Sequence, residues 1–252
     1  MKAALLIATV SFYIAAQEPG APFTLIRVIR NEYGSGMDAG SLQAYRTAAA
    51  DVLGMKSITG PSQTWLVEAH GSFASIEAID KTLAGVMPET NNTGGFQYDG
   101  PSTSLVGMYR PSLSYRPDEA LRLLPAARYF QISIYRIQAG SRFDFAELMR
   151  RRKLSFDSIN LDRPEMGYQI ISGATSGMYV FLAPLQSLRT LDNAWAKLPV
   201  YAEDGGPKGP RQGDPELEIS REHLLFRVEP GISAVSDAFA SGAPDFWHPR
   251  MK

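Results

Sequence analysis

The sequence predicts an α+β fold in which a β-α-β-β-α-β unit is written twice in tandem. Three observations predict it. Strand-like and helix-like segments alternate along the chain, with one hairpin in each half, a pattern that calls for a mixed or antiparallel sheet with helices on one face. Arg27-Val-Ile-Arg30 before Gly34-Ser35 is echoed by Ser133-Ile-Tyr-Arg136 before Gly140-Ser141. Pro111, Ser114, Asp118 and Pro125 fall without gaps on Pro230, Ser233, Asp237 and Pro244. An internal repeat of this kind fixes the architecture before any single element does.

The elements follow in order. After the first strand, residues 41–53 carry Leu42, Tyr45, Ala49, Val52 and Leu53 at helical spacing, with Gly54 as a C-terminal stop. A hairpin of residues 55–59 and 64–70 turns at Gly60-Pro61-Ser62. A helix over 73–83 places Ile76, Ile79 and Leu83 on its buried face. A Pro/Gly-rich loop over 87–104 leads to a closing strand at 105–109. The second half repeats the plan. Its helix spans 144–159, opened by Asp144 and Glu147 in capping-box spacing. Its hairpin joins 167–172 to 178–182 through a turn from Gly173 to Gly177. A helix over 188–198, a loop over 199–215 and a strand over 223–228 close it.

Composition narrows the function classes. The chain has 252 residues, 44% of them hydrophobic, with 25 Lys+Arg against 26 Asp+Glu. A net charge of -1 argues against nucleic acid as a partner. The absence of cysteine removes disulfides, thiol nucleophiles, Cys-ligated zinc and iron–sulfur clusters. Residues 1–16 read as a signal peptide: Lys2 is the positive start, residues 3–16 the apolar run, and Ala15-Ala16 the small residues at the cut. That run is too short to span a bilayer. The expected layout is a leader over 1–16, a linker over 17–22, a first repeat over 23–126 and a second over 127–252. The mature chain would be exported, to the periplasm or the extracellular space, with no membrane span.

No motif fixes a reaction. Gly34-Ser-Gly36-Met-Asp-Ala-Gly40 has GxGxxxG spacing rather than the dinucleotide fingerprint, and reads as a loop before a helix. His70, His223 and His248 lack metal-ligand spacing, so no metal is expected. There is no GxSxG elbow. Arg150-Arg-Arg-Lys153, near Asp144, Glu147 and Asp157, reads as a solvated helix face. Arginine outnumbers lysine 18 to 7, and Arg27, Arg30, Arg136 and Arg227 lie within strands. Alternation puts Arg27 with Leu25 and Ile29 on one face, and Arg30 with Ile26 and Val28 on the other. A charge inside an apolar strand needs a partner or a polar cavity. Trp65, Tyr109, Tyr135, Tyr168, Tyr179 and Phe226 also fall in strands, as core or as the aromatic wall of a pocket.

The element order and the duplication over residues 23–235 resemble the dimeric α/β-barrel superfamily of ferredoxin-like domains, in its tandem two-repeat form. That superfamily includes cofactor-free monooxygenases, haem-handling proteins, muconolactone-isomerase-like enzymes and NIPSNAP-like proteins. The resemblance implies an intramolecular α/β barrel, as a monomer holding its own pseudo-dimer or as a homodimer. A small molecule or partner bound through the repeat pair is the expected function, with no cofactor. The alternatives are a cofactor-independent monooxygenase or isomerase on a small aromatic or lipophilic compound, and haem binding through His70 or His223. The candidate pocket takes Trp65 and Tyr109 as walls, Arg27 as an anion partner, and Glu68 with His70 as an acid/base pair.

Overall fold

A computed structural model describes residues 23–32, 42–43, 45–46, 51–86, 102–197 and 218–248. The expected leader and linker, the GxGxxxG segment, most of the first long loop and all of the second lie outside these residues. Eight strands are present: β1 (Leu25–Glu32), β2 (Val52–Ser57), β3 (Gln63–His70), β4 (Ser102–Tyr109), β5 (Tyr129–Ile137), β6 (Met166–Ser172), β7 (Met178–Leu185) and β8 (Glu218–Val228). They close into one barrel in the order β1-β3-β2-β8-β5-β7-β6-β4, every pairing antiparallel. Around the barrel, β4-β1-β3-β2 is followed by β8-β5-β7-β6, the same strand order in each half. Closure leaves no sheet edge unpaired among the described strands.

The helices are α1 (Phe73–Val86), α2 (Pro117–Leu123), α3 (Arg142–Ser158), α4 (Arg189–Lys197), α5 (Asp237–Ala240) and α6 (Pro244–Trp247). Leu42, Gln43, Tyr45 and Arg46 are helical as well. The helix expected over 41–53 is shorter than that: Val52, Leu53 and Gly54 belong to β2. Gly54 is a packing glycine rather than a helix stop, because a Cβ there would lie 2.4 Å from the Ile232 carbonyl oxygen. The capping box expected at α3 does not form. Ser141 precedes the helix without a side-chain cap bond, and Glu147 instead takes Arg150 and Arg151 one turn on. Helices α2, α5 and α6 lie in the segments that overlay between the halves, where repetition rather than helical spacing was the signal.

Strand alternation divides the side chains into two layers. Ile26, Val28, Met55, Trp65, Val67, Phe130, Ile132, Tyr168, Val180 and Phe226 fill the barrel with an apolar core. Leu124, Phe239 and Trp247, from the short helices, plug one end of it. At that end a cavity of about 30 Å³ remains, lined by Phe23, Ile26, Leu53, Met166, Tyr168 and Phe239 among others. It has room for water, whereas a cavity that takes benzene measures about 150 Å³. The opposite face of the sheet lies under the helices in separate clusters. One holds Ile29, Tyr45, Leu66, Ile79 and Leu83 in half one, and another Tyr135, Phe145, Met149, Tyr179 and Phe181 in half two.

The overlaid segments turn out to be straps, and each binds the opposite half. After β8, Ser233 Oγ accepts from Gly54 N–H and donates to the Glu229 carbonyl. After β4, Ser114 Oγ accepts from Gly167 N–H and donates to the Arg110 carbonyl. Val52 and Ala234 exchange backbone hydrogen bonds, as do Tyr115 and Glu165. These contacts align Gly54 with Gly167. Through the strand registers they place Arg27 where half two has Gln131. The Arg27–Arg30 echo of Ser133–Arg136 is therefore two residues out of structural register. Sequence likeness followed Arg136 and the Gly140-Ser141 pair after it, whereas the straps fix the backbone.

Candidate functional site

Three of the five candidate pocket residues meet under the helices of half one. Arg27 on β1 is the register partner of Glu68 on β3, so both side chains leave the same face of the sheet. His70, two residues past Glu68, shares that face. Arg27 donates to Glu68 through Nε at 2.6 Å and Nη2 at 3.1 Å. His70 Nε2 stands 2.9 Å from Glu68 Oε2, and the Tyr45 hydroxyl donates to Oε1. Arg27 Nη1 reaches Asp80 on α1. His70 Nδ1 lies 3.2 Å from Ser75 Oγ. Ser75 and Ser72 cap the start of α1 reciprocally, each hydroxyl accepting from the other's backbone N–H.

Glu68 is 0% exposed and His70 1%. Burial alone would raise the Glu68 carboxyl. Hydrogen bonds from His70, Arg27 and Tyr45 outweigh it and hold the group below the ordinary carboxylate range. Burial likewise opposes the Arg27 charge, and Glu68 with Asp80 overcomes it. The result is an ionised carboxylate whose lone pairs are taken by four donors. Such a group is a weak proton acceptor and a strong fixed negative charge. His70 presents Nε2 to it, which orients the imidazole and leaves Nδ1 for Ser75.

Trp65 and Tyr109 stand elsewhere. Trp65 differs from Glu68 by an odd number of positions in β3, so its side chain points into the barrel. It packs there against Phe226 at 4.9 Å between ring centroids, with its Nε1–H donating to Gln63 Oε1. Tyr109 packs against Tyr168, 5.6 Å away, at the margin of the same interior. Arg27, Glu68 and His70 form one group, and the two aromatics belong to the barrel core.

Residues that the sequence reading passed over complete the half-one face. Asn31 and Thr64 are register partners two steps along from Ile29 and Leu66. Both are buried, and Asn31 Nδ2, Asn31 Oδ1 and Thr64 Oγ1 have no hydrogen-bond partner among the described residues. Each unmet polar atom costs about 1–3 kcal/mol. A strand asparagine of the same parity as Arg27 was the available signal. Among the described residues, no group of three His, Asp or Glu is placed to hold a metal ion.

No family model matches the chain, and no curated protein matches it in sequence. Solved structures similar in fold include a mutant chlorite dismutase from Candidatus Nitrospira defluvii, with 10% identity over 88% of this chain and 96% of that one and a TM-score of 0.48. An anthrone oxidase-like protein matches with 8% identity over 82% of this chain and 92% of that one, at a TM-score of 0.46. A monooxygenase candidate from Fusobacterium nucleatum matches with 7% identity over 81% and 91%, at 0.47. These likenesses assign no residue and no activity to the chain.

Proposed function

We propose that the chain is a tandem ferredoxin-like protein that binds a small molecule between the sheet and the helices of its first half. The same strand order in both halves supports the tandem reading. Because one chain closes the barrel, a monomer is the expected form. One observation carries the ligand reading: three buried polar atoms on Asn31 and Thr64 face the helix layer with no hydrogen-bond partner among the described residues. Buried polar atoms in folded proteins are satisfied, and exceptions call for a water or a ligand. Ile29, Leu66, Ile79 and Leu83 supply apolar surface on the same face. A compound with one small hydrogen-bonding group on an apolar body fits that combination.

The barrel-end cavity has room only for water, so the unmet polar atoms on the helix side of the sheet are what favour that side. Binding is favoured over catalysis because Glu68 is saturated by donors and poor as a base. Haem ligation by His70 is disfavoured, since its Nε2 already faces Glu68. Export is part of the proposal and rests on residues 1–16 as a cleaved leader; an intact Met1 on secreted protein would refute that signal peptide.

The test uses 2-naphthol, which has one hydroxyl on an apolar body, as a fluorescent probe. Wild-type protein is expected to bind it saturably. Asn31→Leu with Thr64→Val should weaken binding at least tenfold while raising stability, because three unmet polar atoms at about 1–3 kcal/mol each are removed. Loss of stability together with unchanged binding would overturn the assignment.

A further inference from the structure

The outer face of half two holds a second charged cluster, in which two guanidiniums meet one carboxylate among the described residues. Arg152 on α3 grips Glu165 with both terminal nitrogens. Arg163, between α3 and β6, has one acceptor among the described residues, the Gln131 amide oxygen at 2.6 Å. Its Nε is shut off from solvent and has no hydrogen-bond partner among the described residues. Two guanidiniums therefore share one carboxylate among the described residues. The Phe156 ring lies 4.6 Å from the Arg152 guanidinium carbon and 5.3 Å from that of Arg163. Such a ring offsets part of the cost of the charges but supplies no acceptor.

The sheet completes the cluster. Gln131 and Ser133 lie two residues apart on one face of β5, and Ser133 is the register partner of His223 on β8. Ser133 Oγ and His223 Nδ1 are 2.9 Å apart. The Arg221 guanidinium stacks 5.1 Å from the Tyr135 ring, one step further along the same face. Desolvation, followed by the fields of Arg221, Arg152 and Arg163, pushes His223 down to about 4, against the opposing pull of Glu165. Burial also pulls the Arg163 guanidinium below its ordinary value. Three guanidiniums thus act on the His223 imidazole, and Glu165 is the acidic group among the described residues that acts against them.

We propose that the Arg163–His223 face of half two binds a small oxyanion, the phosphate or carboxylate group of a ligand. An oxyanion there would supply the acceptor that Arg163 Nε lacks among the described residues and offset the second guanidinium beside Glu165. Arginine suits the task because its fork matches both groups.

Calorimetric titration of the full chain in chloride buffer tests this, with inorganic phosphate in one arm and acetate in the other. Saturable one-to-one binding of either anion is expected, and the tighter of the two names the group. Arg163→Gln should weaken it at least tenfold, and Arg163→Lys should restore part of the loss. The midpoint of His223, followed by NMR, should move upward from about 4 when the anion is present. Asn31→Leu should leave anion binding intact, so this inference and the half-one ligand can fail separately. Absence of saturable binding by both anions would overturn the proposal. So would an Arg163→Gln protein that binds like wild type. If that variant does not fold, a His223 midpoint unmoved by either anion overturns the proposal by itself.

Discussion

The outer faces of the two halves occupy equivalent backbone positions and carry opposite chemistry. Where half one pairs Arg27 with Glu68, half two pairs Gln131 with Ala183. Where half one sets Asn31 beside Thr64, half two sets Tyr135 beside Tyr179, with Phe145 packed 4.5 Å from the Tyr179 ring. Half two has its own buried ion pair, Arg152 with Glu165, but it hangs from a helix and a strand end rather than crossing the middle of the sheet. The barrel interior and the straps are shared by both halves, so they define the frame. The outer slots are free to differ, and what fills them is where function can be told from architecture.

The largest expected effect comes from breaking the Arg27–Glu68 pair. Glu68→Ala should cost about 3–5 kcal/mol in denaturant unfolding, because it strands a buried guanidinium. Adding Arg27→Gln turns this slot into the half-two pair and should recover most of the loss. A double variant as unstable as the sum of the singles would show that the slots are not equivalent. Next come the strap glycines. Gly54→Ala drives a Cβ into the Ile232 carbonyl, whereas Gly167→Ala meets only side chains, the nearest Phe181 at 2.9 Å. Overpacking of this kind costs about 1–3 kcal/mol, and Gly54 should stand at the upper end. Equal losses at the two sites would erase the difference between the seams.

The smallest effects are those of pH, and the halves differ there too. His223 is depressed to about 4 in the folded chain, so the unfolded chain binds more protons between about 6.5 and 4. Stability should fall as pH drops through that window, and His223→Gln should flatten the fall. Glu68, also depressed, keeps its contribution above the ordinary carboxylate range and loses it only in stronger acid. Thermal melts of wild type, His223→Gln and Glu68→Gln across pH 3–8 separate the two. A single shared transition with no change in His223→Gln would refute the assignment.

Much of the frame was legible because strand and helix periods are local properties. The hairpins, α1, α3 and α4 lie close to where periodicity puts them. Gly54 was misread because an Ala-rich run before a glycine looks like a helix end, and its real reason is a carbonyl 178 residues away, at Ile232. Ser114 and Ser233 could be seen to match, but not that each reaches into the other half. Within the site, parity alone separates Trp65 from Glu68, and it groups Arg27 and Glu68 with Asn31 and Thr64. Tyr45 and Asp80 reach the cluster from helices, and no pattern along a strand announces such long-range partners.

The straps have one more consequence. Each half fastens the other like a hook and its eye, and β2–β8 and β4–β6 are the two seams between them. Releasing one fastener exposes backbone donors at Gly54 or Gly167 and loosens the seam that the other depends on. The chain should therefore melt in one cooperative step, with amides of both seams exchanging together. Neither half, cut free at the junction before β5, should hold its shape alone.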